Sequence, residues 1–386
     1  MKNYQNLAVF LILTILSSTL SCSSQNKNPE EKILTISPNI NQKISANNEI
    51  IAVLDDFFET KNNSVLENKF WLPSDFQKYK YPFLDLYNIE NSKHGKNFFK
   101  PTLMEILPTE NSNQKILKIA FIGHHHETNQ NQIKAIYNLV SENNSGNIKL
   151  SRYLNLATKN WQKHSTKSVN YYISPNKKAN QTEMFLQQKD IDFICTFFET
   201  KPIEITYFSC INPKELFEIK GFDYHPMMYI DSSGGFADHG NIIFSGNDSE
   251  IYTHEIVHIY MRNLFPEINS FLDEGIATYI AGSGKFDYQW HREKIKKLLT
   301  KNPTFDFASQ TDIYARNYFE NETPLPYLTA ALVIEHTLRH FGKNALIDLL
   351  NSKTDLWTSL NKVGLTKENF NEKLRKEINK PIHSIR

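Results

Sequence analysis

Apolar residues recur along this chain with two periods, and the changes between them divide it into units. Ile50 to Phe58 carries its apolar side chains at helical spacing. Lys100 to Leu107 and Ile116 to Ile122 alternate apolar with polar, and the turn-forming Asn111-Ser112-Asn113 lies between them, so the pair predicts a β-hairpin. Ile133, Ile136, Tyr137 and Val140 fit a helical stripe, yet Ile136 to Val140 fits a strand as well. A helix laid on an antiparallel sheet is the expected outcome for residues 45–150.

Beyond residue 150 the periods keep changing. Tyr153, Leu154, Ala157 and Trp161 repeat as on a helix, and Val169 to Ile173 reads as a strand. Residues 178–198 predict a helix and Ile203 to Phe208 a strand. Met227 to Ile230 and Asn241 to Phe244 complete the strands, with Gly234-Gly235 as a turn between them. After residue 245 the pattern is almost wholly helical, and a very apolar stretch starting at Tyr327 runs to Phe341 and stops at Gly342, a natural helix end. The fold class is therefore α+β: a small helix-on-sheet domain at 45–150, then a mixed sheet with helices and a mostly helical C-terminal part within 151–386. The first unit is similar in outline to NTF2-like or cystatin-like domains.

The N-terminus differs from the rest. Lys2 precedes the unbroken apolar run Leu7 to Leu16, and small residues follow before Cys22. The run is too short for a permanent span, so residues 1–21 read as an export signal. The segment resembles bacterial lipoprotein signals, which implies that Cys22 becomes an acylated N-terminus; Thr19 stands where those signals usually carry Leu. Residues 22–44 are the expected tether, most polar from Ser23 to Lys32. The protein is then exported and held at the cell envelope, on the periplasmic face or the cell surface, with this lipid as its only membrane contact. Composition adds one exclusion: 43 Lys and Arg balance 42 Asp and Glu, which gives no electrostatic case for nucleic acid. Export permits a disulfide between Cys195 and Cys210; two buried free thiols are the other reading.

Residues 254–258 are His-Glu-Ile-Val-His. On a helix, positions i and i+4 project from one face, so both imidazoles reach one metal ion, and Glu255 lies on the flank where it can hold a water. Asn247 and Asp248 are good N-cap residues, and Glu250 is expected in the first turn. Ile251, Ile256, Val257, Ile259 and Tyr260 make the helix apolar nearly all round. Two His and a Glu in a buried helix need a compensating partner, and a cation is one. A catalytic zinc needs a third protein ligand and an open fourth position.

HExxH followed by Phe271-Leu272-Asp273-Glu274-Gly275-Ile276-Ala277-Thr278-Tyr279 resembles the gluzincin peptidases, which include thermolysin and the zinc aminopeptidases. The resemblance covers roughly residues 165–350 and is strongest at 254–279. It implies zinc held by His254, His258 and Glu274, with Asp273 the competing carboxylate, and a zincin-like domain in which two antiparallel helices joined through Pro266 bring Glu274 to the His pair. It also implies peptide hydrolysis of a peptide or protein substrate, with Glu255 as general base and Tyr327 steadying the oxyanion. Tyr318 and Tyr279 are weaker alternatives to Tyr327, and no aminopeptidase exopeptidase motif is seen. The rival reading is a non-catalytic surface-binding lipoprotein with a structural or vestigial zinc site. His124-His125-His126 reads as an exposed loop, because consecutive side chains on extended backbone diverge. His225, His239, His336 and His340 read as structural. The anchor is directly testable: Cys22→Ser should release the protein from the membrane fraction or arrest its maturation, followed by fractionation and mass spectrometry. Unchanged processing and retention would remove the lipid anchor.

Overall fold

A computed structural model of the chain describes residues 33–385. The export run, Cys22 and the tether up to Lys32 lie outside the described residues. Residues 33–44 of the expected tether are instead folded. Leu34 and Ile40 are buried, and Thr35–Ile36 (β1) pairs in parallel with Phe99–Pro108 (β2). Residues 33–44 are part of the fold because their apolar side chains have a core to enter.

The first sheet continues antiparallel through Gln114–His125 (β3), Gln130–Asn144 (β4) and Asn147–Arg152 (β5). The stripe at Ile133 to Val140, which suited both periods, is a strand: β4 pairs along its length with β3 and buries Ala135, Tyr137 and Leu139. Ser45–Thr60 (α1) lays Ile50, Leu54, Phe57 and Phe58 on Leu103, Leu117, Ile119 and Phe121. This is the helix-on-sheet unit that the pattern implied. Pro73–Tyr79 (α2) and Leu154–Ala157 (α3) are short, and the helix expected through Trp161 ends four residues before it.

The second sheet uses Gln162–Ser165 (β6), Val169–Ile173 (β7) and Ile205–Ser209 (β8), with Gln181–Phe198 (α4) between the last two. After Pro213–Lys220 (α5), Phe222–Tyr224 (β9) returns to pair with β4 of the first sheet, so one strand crosses the expected division at residue 150. Met227 to Ile230 is not a strand; Pro226–Tyr229 forms a single 3₁₀ turn begun by the proline. The strand lies instead at Gly235–Asp238 (β10), antiparallel to Ile242–Ser245 (β11). The sheet order is β10-β11-β8-β7-β6, parallel in its centre and antiparallel at both edges.

Alternation along the strands sorts two cores. Tyr171, Tyr207 and Ile243 face α4 and the helices that follow, whereas Phe208 and Phe244 stack at 5.2 Å on the opposite face over Leu216 and Ile219. This sorting decides the cysteines. Cys195 belongs to the first core, its Sγ 3.3 Å from Tyr260 Oη, and Cys210 is fully buried in the other. Both are free thiols, and the possible disulfide does not form because the sheet stands between them.

The rest is helical apart from a short ladder of Tyr318–Phe319 (β12) with Thr323–Pro324 (β13): Thr253–Leu264 (α6), Ser270–Ala281 (α7), Tyr288–Lys301 (α8), Leu325–Leu350 (α9), Leu356–Asn361 (α10) and Phe370–Ile378 (α11). The α9 run breaks at Gly342, where φ is +79°, as the sequence implied, and a further helical run follows. Among the described residues no helix is long and apolar enough to cross a membrane. Helix α7 is clamped between α6 and α9. Gly275 makes this possible, since a Cβ there would stand 2.8 Å from the Ala330 backbone. Replacing a mid-helix Gly by Ala ordinarily gains up to about 1 kcal/mol. Gly275→Ala should instead lose about 1–3 kcal/mol through overpacking, measured by urea unfolding. A gain in stability would mean the two helices can separate freely.

Candidate metal centre

The metal motif begins later than the capping pattern implied. Helix α6 starts at Thr253, and Asn247, Asp248 and Glu250 precede it. Glu250 is wholly buried and does another job: its carboxylate accepts from Asn180 N at 2.9 Å and Ser209 Oγ at 2.7 Å and pairs with Lys177 at 2.9 Å. The first turn of α6 is satisfied from another helix. Gln187 of α4 accepts from Tyr252 N at 2.6 Å and donates to Thr253 Oγ1 at 3.2 Å. Such a cap leaves no local signal, which is why spacing alone misplaced the helix start.

His254 and His258 stand one turn apart with ring centroids 4.9 Å apart. Helix α7, started by Asn269 accepting from Phe271 N at 2.9 Å, brings Glu274 to both: its Oε2 lies 3.3 Å from His254 Nε2 and 3.6 Å from His258 Nε2. Zinc–ligand bonds of about 2.0–2.1 Å in a tetrahedron imply ligand–ligand separations of roughly 3.3–3.4 Å. The two separations from Glu274 lie close to that spacing, and all three atoms lie within 4.8 Å of one another. The other ring nitrogens are oriented from behind. His254 Nδ1 meets the Gly282 carbonyl at 2.7 Å, and His258 Nδ1 lies 2.9 Å from Asp273 Oδ1. Metal-bound histidines are commonly backed in this way, which turns Nε2 toward the ion. The competing carboxylate Asp273 therefore stands behind a ligand instead of beside the metal position. Gly282 has φ +78°, and a Cβ would meet Phe286 O at 2.0 Å, so only glycine offers that carbonyl here.

The electrostatics favour positive charge at His258. Burial works to lower the pKa of His258, but Asp273 and Glu274 outweigh it and hold the imidazole up to about 10. Burial works to raise that of Glu274, but His254 and His258 outweigh it and pull the carboxyl down to about 2. Two imidazoles and a carboxylate of this geometry fit a divalent ion of the zinc type.

Glu255 flanks the triad, and its Oε2 accepts from Ala237 N at 2.7 Å on the free edge of β10. Tyr327 opens α9 with its ring nearly parallel to that of His254, centroids 6.3 Å apart. Burial and the adjacent Glu274 raise its pKa, so it stays a phenol at neutral pH. Of the alternatives, Tyr279 donates to the His383 carbonyl away from the triad and Tyr318 is exposed. A cleft of about 400 Å³ unites Gly235, Ala237, Glu255, Arg262, Glu274 and Tyr327. Three of its parts escaped the sequence reading: β10, Arg262 and Tyr252, whose pKa is raised by burial and by Glu255. Only β10 left a signal, Gly240 and Asn241 at positive φ in the turn that follows it.

Among the described residues one other group brings three ligand-type atoms within 4.8 Å: His336, His340 and Glu377. Its centre is already taken by an ammonium, since Lys380 Nζ lies 3.0 Å from Glu377 Oε2 and 2.8 Å from His340 Nε2, and Arg339 also binds Glu377. Of the three consecutive histidines, His124 and His125 end β3 instead of lying in a loop, and neighbouring side chains diverge as expected. His124 lies near His126, and His125 near His94.

Neither the models of known protein families nor the curated proteins contain a match to this sequence.

Zinc per chain after dialysis tests the ligand set. His254→Ala, His258→Ala and Glu274→Ala should each abolish stoichiometric binding. Asp273→Ala should still bind, with affinity lowered about 10–100-fold. Full zinc in Glu274→Ala together with none in Asp273→Ala would exchange the two roles.

Proposed function

We propose that the chain is a zinc-dependent peptidase with a gluzincin-like catalytic domain within residues 151–386, exported and carried at the cell envelope on lipidated Cys22. The observation that carries the reading is the convergence of His254, His258 and Glu274 at ligand spacing with Glu255 beside them in one open cleft. A purely structural zinc site closes all four positions with protein ligands. Here the described cluster supplies three, and the nearby Asp273 is engaged behind His258.

Bound zinc supplies a Lewis acid for the scissile carbonyl and lowers the pKa of a water to about 7. The chain's own residues do the rest. Glu255 takes the proton of the attacking water and passes it to the leaving amine. Its bond from Ala237 N occupies one carboxylate oxygen and fixes the group's orientation, leaving the other oxygen to accept the proton. Tyr327, kept protonated by burial and Glu274, is a donor beside the reacting carbonyl and steadies the developing oxyanion. Ala237 is occupied, and the outer edge of β10 at Gly235, which lines the cleft, offers main-chain partners to an extended peptide.

Glu255→Gln separates base from ligand. The amide keeps the size of the side chain but cannot take the proton, so zinc content should be unchanged. Activity on unfolded protein or a peptide library should fall by at least about 10²–10⁴. Loss of zinc in this variant would make Glu255 a ligand. Zinc retained with no hydrolysis by the unmodified protein, with or without chelator, would favour a binding lipoprotein.

A further inference from the structure

Arg262 lies one turn beyond His258 on α6 and lines the same cleft as Glu255 and Tyr327. Its Nη1 donates to the Ala237 carbonyl at 3.0 Å. A guanidinium carries five donors in a planar fork, and this bond uses one. Among the described residues no carboxylate lies within 4.0 Å of it, although Glu255, Asp273 and Glu274 line the same cleft. The two buried arginines among the described residues, unlike the half-buried Arg262, are closed by acids: Arg152 by Asp238 and Asp85, and Arg292 by Glu335. A cation in the last turn also suits the helix dipole, but that role needs no opening onto the cleft.

Ala237 fixes where the guanidinium stands relative to the chemistry. Its N–H goes to Glu255 and its C=O receives Arg262, both on the edge of β10 that faces away from β11. Base and guanidinium are thus fastened to the N–H and C=O of one strand residue. An acceptor for the free donors of Arg262 falls about one residue from the bond that Glu255 would serve.

We propose that Arg262 binds a carboxylate on the substrate residue that follows the scissile bond. This rests on the peptidase reading and narrows it to peptides that present an anion at that place, either as the chain's own terminal carboxylate or as an Asp or Glu side chain. Arg is suited to this because its fork matches a carboxylate with two parallel hydrogen bonds. Arg262 is a specificity residue here, and Glu255 remains the base.

The test uses the full-length, zinc-loaded protein and three peptide sets that differ only after the scissile bond: a terminal residue as free acid, the same residue as amide, and an amidated Asp or Glu. The unmodified protein should prefer carboxylate-bearing peptides. In Arg262→Ala the ratio of kcat/KM for carboxylate over neutral peptide should fall about 10–100-fold, chiefly through KM, and Arg262→Lys should recover part of it. Preference for the free acid assigns the terminus, and preference for amidated Asp or Glu assigns the side chain. Zinc content and thermal unfolding of each variant identify misfolding, and the substrate preference of the unmodified protein tests the proposal without any variant. Equal cleavage of all three sets, or a preference that survives Arg262→Ala, overturns the role of Arg262 and leaves the peptidase reading standing. Hydrolysis of no peptide by the zinc-loaded protein overturns both.

Discussion

The candidate site depends on one close approach, that of α7 to α6 on one side and α9 on the other. Glu274 reaches His254 and His258 only because α7 is pressed between its neighbours, and it is pressed there because residue 275 has no side chain to hold Ala330 away. The same approach sets Tyr327, at the start of α9, against His254. Loosening that contact would move Glu274, the proposed ligand, and Tyr327, the proposed oxyanion donor, together. The apolar surfaces that drive the packing, Ile256, Val257, Ile276, Leu328 and Ala331, are fully buried around the cluster. The hydrophobic term therefore supplies the energy that holds polar groups of like need at bonding distance.

Charge explains why the cluster is built in two layers. His258 lies between Glu274 and Asp273, and the two carboxylates together favour a positive charge at the imidazole or at an ion beside it. His254 is backed instead by a neutral carbonyl, that of Gly282. The proposed ligand set thus has one carboxylate, Glu274, among its three members and a second, Asp273, behind one histidine. On the opposite wall an unpaired sheet edge, ordinarily a liability, is covered at Ala237 by Glu255 and Arg262. The proposed base and the proposed substrate anchor are held by the N–H and C=O of one residue, which ties the cleft's chemistry to its recognition.

His336, His340 and Glu377 show that residue types alone do not make such a site. They present the same donors, and His336 even points Nε2 to the Val363 carbonyl at 3.2 Å. The difference is Lys380, whose ammonium neutralises Glu377 where an ion would otherwise sit. That cluster fastens the C-terminal segment, with His383 N on Glu335 and Arg339 on the Pro381 carbonyl.

The sequence by itself determined whatever depends on near neighbours along the chain. Two His at i and i+4 share a helix face whatever surrounds them, the β2–β3 hairpin follows from its turn, and the helix ending at Gly342 follows from a residue that tolerates φ of +79°. Glu274 as partner of the His pair came from likeness to a known motif, and its distances to them agree with that role. What the sequence left open needed partners remote in the chain. Ile136 to Val140 became a strand because β3 and β5 lie beside it, since a stripe of four apolar residues in five satisfies both periods. Cys195 and Cys210, placed on opposite faces of one sheet, remain free thiols although spacing allowed a bridge. Glu250 left the metal helix for Lys177, and Gln187 took over the capping, because burial of those groups is decided by which helix packs on which sheet. Asp273, Ala237 and Arg262 likewise acquired their places only when α6, α7 and β10 met, for a side chain's role is set by the acceptor or donor it faces, and that meeting is a property of the packed molecule.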